Sequence, residues 1–170
     1  MPTTDQPMAA ATFSADHEKT LCIKASADTV FDAITTTAGL TAWWATATGS
    51  GETGGELKFW MGHADPLVIQ VEHAARPALA RWVVTECKFL REWEGTSLTF
   101  TISPRDDENS ELHFRHHGLT AELDCFESCS PSWDHFMVSL RQYAETGSGY
   151  PRGSTEDLAR RASRCSEPSA

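Results

Sequence analysis

Five runs of alternating polar and apolar residues, spaced about ten residues apart and closed by one long amphipathic stretch, constrain this chain most. Leu57, Phe59 and Met61 alternate with polar neighbours, as do Leu67, Ile69, Val71 and His73, and then Leu79 to Glu86 with its Val and Trp. In the next run Leu98, Phe100 and Ile102 share one face, and Ser97, Thr99 and Thr101 the other. In the last, Leu112, Phe114 and His116 oppose His113, Arg115 and His117. A period of two is that of a half-buried strand, and short polar turns such as Asp106 to Ser110 make the series an antiparallel meander. A sheet with one apolar face needs a cover. Trp133, Phe136, Met137, Leu140, Tyr143 and Ala144 recur at spacings of three and four and end at Gly147, which predicts a helix over 131–146, capped by Ser130 or Ser132 with Pro131 in its first turn.

Before the meander, His17 to Ala25 alternates as a strand. Ser26 offers an N-cap to a short helix bearing Val30, Phe31 and Ile34, and a second short helical piece carries Leu40, Trp43 and Trp44 ahead of the glycine-rich turn 49–55. The expected order is one strand, two short helices, more strands to a total of about six, and a long terminal helix, an α+β class. Residues 1–16 read as a flexible arm, 17–151 as the domain and 152–170 as a flexible tail in which Glu156 to Arg164 could form a frayed helix.

A formal charge of -10 argues against nucleic acid, since the one arginine cluster (Arg160, Arg161, Arg164) is small. No stretch is apolar enough to span a membrane, and no signal peptide is evident, so the cytoplasm is expected. Five cysteines at irregular spacing do not form a disulfide framework, and Cys125 with Cys129 lacks the second pair that a zinc set needs. No metal and no cofactor are expected.

The chain resembles the SRPBCC superfamily (START, polyketide-cyclase and Bet v-like proteins), and within it the bacterial branch similar to the C-terminal domain of the heat-shock-protein-90 ATPase activator. Ala27, Asp28, Val30, Phe31, Asp32 and Ala33 carry the match, followed by Gly39, Leu40, Trp43 and Trp44, and by Gly55, Glu56 and Leu57. It continues through Trp93, Glu94, Gly95 and Thr96, then Leu112, Phe114, His116, Gly118 and Leu119. It ends with Trp133, Leu140, Tyr143, Glu145, Thr146, Gly147, Gly149 and Pro151. The resemblance implies a helix-grip fold, a curved sheet wrapped around the C-terminal helix, with an apolar cavity between them.

Strand parity and the helix stripe assign ten residues to that cavity: Trp44, Phe59, Met61, Phe100, Phe114, His116, Trp133, Phe136, Met137 and Leu140. The same side chains could instead fill a solid core. His116 is read either as a polar point for a ligand head or as an acid or base, or as a buried histidine with a structural partner. His113 and His117 stand roughly 13 Å apart along a strand and cannot share an ion with the oppositely directed His116. Glu92 and Glu94 beside Gly95 read as solvated carboxylates. With no nucleophile elbow, phosphate loop or HExxH stretch, the expected function is non-catalytic binding of an apolar or amphipathic small molecule. A protein-interaction or co-chaperone-like module is the alternative, and a cyclase- or hydrolase-type enzyme using His116 the second. A homodimer through a sheet edge or face is compatible with each.

Overall fold

The computed structural model describes residues 16–166; the expected arm over 1–16 therefore falls, except for Asp16, outside the described residues. Among the described residues seven strands form one antiparallel sheet: β1 (His17–Ile23), β2 (Thr46–Gly49), β3 (Glu56–Trp60), β4 (Leu67–Ala75), β5 (Leu79–Glu86), β6 (Ser97–Pro104) and β7 (Ser110–His117). Their order across the curved sheet is β1-β7-β6-β5-β4-β3-β2. Helices α1 (Ala27–Thr35) and α2 (Thr37–Trp43) follow β1, and α3 (Phe126–Thr146) covers the sheet.

The parity reading is met on β6 and β7, where Leu98, Phe100, Ile102, Leu112, Phe114 and His116 all point into the core. It fails on β4, where Val68 is buried out of phase and His73 is exposed. The register with β5 shifts between Val71 and His73, so His73 turns out to solvent although its period-two count points inward. The seventh strand, β2, lies just after the second short helix, and four residues with one buried alanine carry too little pattern to announce it.

Local signals act where they were expected in the short helices. The Ser26 hydroxyl accepts from the Thr29 N–H (3.1 Å), and Thr36 accepts from the Gly39 N–H (3.0 Å). Gly39 is required by packing, since a Cβ there would come within 2.9 Å of the Ala33 backbone. The long helix differs at its start. It begins at Phe126, with Pro131 inside it, because the Glu92 carboxylate accepts the N–H groups of Asp124 and Cys125 (3.0 Å each) and caps the end. Glu92 is thus a structural anchor; these backbone donors, Asp124 first, hold its carboxyl below the usual range. Glu94 turns elsewhere, to the Cys87 N–H and Arg91. At the other end Gly147 adopts a left-handed conformation (φ 89°), and its N–H bonds the Tyr143 carbonyl at 2.7 Å.

Both margins of the sheet are engaged. Helix α3 runs beside β1, where Asp134 meets Lys19 and Glu145 accepts the Lys24 N–H. On β2 the Ala47 N–H donates to the Thr41 hydroxyl of α2 (3.0 Å).

Beyond residue 151, where the sequence offers a tail or a frayed helix, the structure has α4 (Thr155–Ser166). It is organised around Asp157, whose side chain is 0% exposed, and reaches the domain through Arg160, which donates to the Ser132 hydroxyl (3.3 Å). One Asp157 oxygen accepts from Arg160 (2.6 Å); the other accepts the Gly153 N–H (2.9 Å) and lies 3.2 Å from Arg161. Arg160 in turn lies over the Phe136 ring of α3. Asp157→Ala leaves two arginines without their carboxylate and is expected to cost about 3 kcal/mol in urea unfolding; no loss of stability would show that α4 adds nothing to the domain.

Candidate ligand-binding cavity

A cavity of about 170 Å³ opens at the end of the sheet where the amino-terminal half of α3 meets the turn around Arg91–Trp93. Of the ten residues expected to line it, Trp44, Met61, Trp133 and Phe136 do. The other six, Phe59, Phe100, Phe114, His116, Met137 and Leu140, are buried elsewhere in the core. The reason is aromatic packing. Phe59 sits 4.3 Å from Trp44 between ring centroids, and Phe114 lies 5.1 Å from Phe100 and 4.6 Å from Trp133. These rings fill the middle of the helix and sheet interface, and space remains only beyond them. Leu67, Phe89, Leu90, Trp93, Ser128, Cys129, Ser132 and Arg152 complete the wall. Most of these come from loops and from the polar side of α3, and a count of periods does not reach them. The grouping of Phe89, Leu90 and Trp93 in a segment without strand parity was the one available signal.

Three tryptophans form the rigid part of the wall. Trp133 stacks near Trp93 (5.9 Å, 12°) and against Trp44 (5.0 Å). Each of the first two is pinned by its indole N–H. Trp93 donates to the Cys129 sulfur at 3.4 Å, and Trp133 donates to His116 Nδ1 at 3.0 Å. The second bond assigns the histidine. An indole only donates, so Nδ1 accepts and the proton resides on Nε2, which donates to Thr96 Oγ1 (2.9 Å). The Thr96 hydroxyl in turn donates a hydrogen bond to the Trp93 carbonyl (2.6 Å). Burial, and then the nearby His17, push the His116 pKa down to about 3. His116 is therefore a neutral link between Trp133 and Trp93, 0% exposed and outside the cavity wall.

The remaining titratable groups are dispersed. His113 bonds Glu18 (2.7 Å) and His117 lies 3.6 Å from Asp16, both on the outer face, while His116 points inward. Burial pushes the Cys87 thiol up to about 11 and the Cys125 thiol to about 12, so both stay protonated. Among the described residues no carboxylate lines the cavity; its wall holds apolar rings, Met61, Leu67, Leu90, two serines, Cys129 and Arg152. Such a surface can enclose and orient a molecule, and it presents no paired acid and base.

Residues 24–145 match the family described as activator of Hsp90 ATPase homolog 1-like protein. Among solved structures, the chain is similar to the Aha1 dimer from Colwellia psychrerythraea, with 24% identity, a TM-score of 0.69, and coverage of 79% of this chain and 99% of that one. It is also similar to DynU16, a putative protein in the dynemicin biosynthetic locus (19% identity, TM-score 0.63, 78% of this chain); the match spans 48% of DynU16. An Hsp90 activator from Plasmodium falciparum aligns at 17% identity and a TM-score of 0.54 over 68% of this chain and 85% of that one. Comparison with curated proteins finds no match by sequence.

Proposed function

The chain belongs to the activator of Hsp90 ATPase homolog 1-like family, and from that membership and its aromatic cavity we propose that it binds a compact apolar or amphipathic small molecule without catalysing a reaction. The observation that carries this reading is the cavity of about 170 Å³ walled by tryptophans that are held in place from behind. Its size narrows the ligand. Apolar protein cavities of about 150 Å³ take a benzene-sized guest, whereas sites for drug-sized ligands run to roughly 300–1,000 Å³. One ring with a short substituent fits, and a long acyl chain would remain largely outside. The free thiols of Cys22, Cys87, Cys125 and Cys129 suit the reducing conditions of the cytoplasm, where we place this function.

Indole, toluene and naphthalene, titrated into the protein, are expected to change tryptophan emission, because Trp44, Trp93 and Trp133 all touch the guest. At about 100 times its dissociation constant each should add about 2.7 kcal/mol of stability. If none of them shifts emission or melting temperature, the binding reading is wrong. The neighbours described as an Aha1 dimer and an Hsp90 activator favour a second reading, a co-chaperone-like module that can self-associate. Stimulation of Hsp90 ATP hydrolysis by this protein, unaffected by the same aromatic compounds, would support that reading over the first.

A further inference from the structure

We infer that the molecule bound in this cavity carries a carboxylate and that Arg152 recognises it, an inference that rests on the binding reading above. Arg152 stands at the mouth, lining the cavity on one side and an outer groove with Trp60 and Arg161 on the other. It is clamped there twice. Its backbone N–H donates to the Trp44 carbonyl (2.7 Å) and its Nε to the Met61 carbonyl (3.0 Å), both on residues of the cavity wall. With the stem and Nε fixed, the two terminal nitrogens of the guanidinium remain. Among the described residues no carboxylate lies within ion-pair distance of them, and they make no hydrogen bond.

The surroundings explain why the arginine is left uncompensated. Asp157 is the acid at hand, and both of its oxygens are engaged, one by Arg160 and the other by the Gly153 N–H and Arg161. Two arginines thus share the one carboxylate and Arg152 stands beside them without a carboxylate of its own, a local excess of positive charge in a chain whose net charge is -10. Burial, followed by the field of Arg161, pulls the Arg152 pKa below the usual arginine range, although arginine remains protonated at any physiological pH. A half-buried cation among like charges is stabilised by an anion delivered from outside. The other polar groups of the wall do not compete for it: Ser128 donates to the Cys125 carbonyl and Ser132 to the Ser128 carbonyl. The free edge of one guanidinium matches the two oxygens of a carboxylate, and the adjoining aromatic wall takes the ring that bears it.

Three probes with one body decide the matter: 3-phenylpropanoate, 3-phenylpropanamide and propylbenzene, followed by tryptophan fluorescence and by melting temperature. Wild-type protein should bind the carboxylate roughly 10- to 100-fold more tightly than the amide, the range for a hydrogen-bonded charge pair, and raised salt should narrow the gap. Arg152→Gln should remove that preference, weakening the carboxylate far more than propylbenzene, and Arg152→Lys should restore part of it. Comparing the three probes on wild-type protein decides the question even where a variant fails to fold. Equal binding of all three, or a preference for the neutral pair, overturns the carboxylate assignment and leaves the cavity reading intact. Binding of none of them removes both.

Discussion

Replacing Trp133 with alanine is expected to destabilise the protein by roughly 3 to 5 kcal/mol in urea unfolding, the range for truncating a buried aromatic ring. The side chain is 2% exposed and touches Trp44, Trp93 and Phe114, so its removal opens a void where α3 meets the sheet. It also strands the Nδ1 acceptor of His116. Trp133→Phe keeps most of the volume and loses only the N–H, and should cost about 1 to 3 kcal/mol, the penalty for an unpaired buried group. Thr99→Ala, on the outward face of β6, should cost under about 1 kcal/mol. Equal, small losses at positions 133 and 99 would mean that α3 does not close the core.

Acidification is expected to weaken the fold before its carboxylates titrate. In the unfolded chain His116 takes up a proton near pH 6.5, whereas in the folded protein it does so only near 3. The unfolded state therefore binds more protons between these values. The stability contributed by the neutral, buried ring is full above about pH 6.5 and is lost progressively as the pH falls toward 3. Between pH 7 and pH 5 the loss from this residue is about 2 kcal/mol. Burial also lowers the pKa values of His17 and His117, so they act with the same sign. Urea unfolding at the two pH values measures the total, and His116→Gln, which cannot titrate, isolates the share of His116. The variant should start less stable and lose less on acidification. Parallel losses in both proteins would place the proton uptake elsewhere.

Much of this architecture is legible from residue periods because one face of the sheet is dry. On β6 and β7 every second residue from Leu98 to His116 that shares the parity of Phe100 and Phe114 faces the dry side, so parity alone assigns the inward set, including His116. The same logic stops at the bulge that turns His73 outward, and at β2, which is too short to show a period. The cavity is less legible for a different reason. Parity says that Phe59, Phe100 and Phe114 point inward, but whether inward rings enclose space or fill it depends on their volumes and tilts. Here they fill it. The wall that does enclose space includes Phe89, Leu90 and Arg152, which lie outside any strand or helix. Arg152 owes its place to the bonds between residues 150–153 and Trp44, Met61 and Ser139, contacts between distant segments that no local pattern encodes.

The engaged margins of the sheet bear on how two copies of this molecule can meet. An exposed strand edge is a template on which another strand can be added, and it is the usual route to continuous intermolecular sheets and to aggregation. Among the described residues, β1 is accompanied by α3 and the Ala47 N–H of β2 is donated to Thr41, so each rim already carries contacts made by the fold itself. A second copy adding a strand at either rim would have to displace those contacts, whereas a contact between surfaces, with side chains facing side chains across a two-fold axis, would leave them in place. Such an isologous contact uses the same patch on both copies and stops at two.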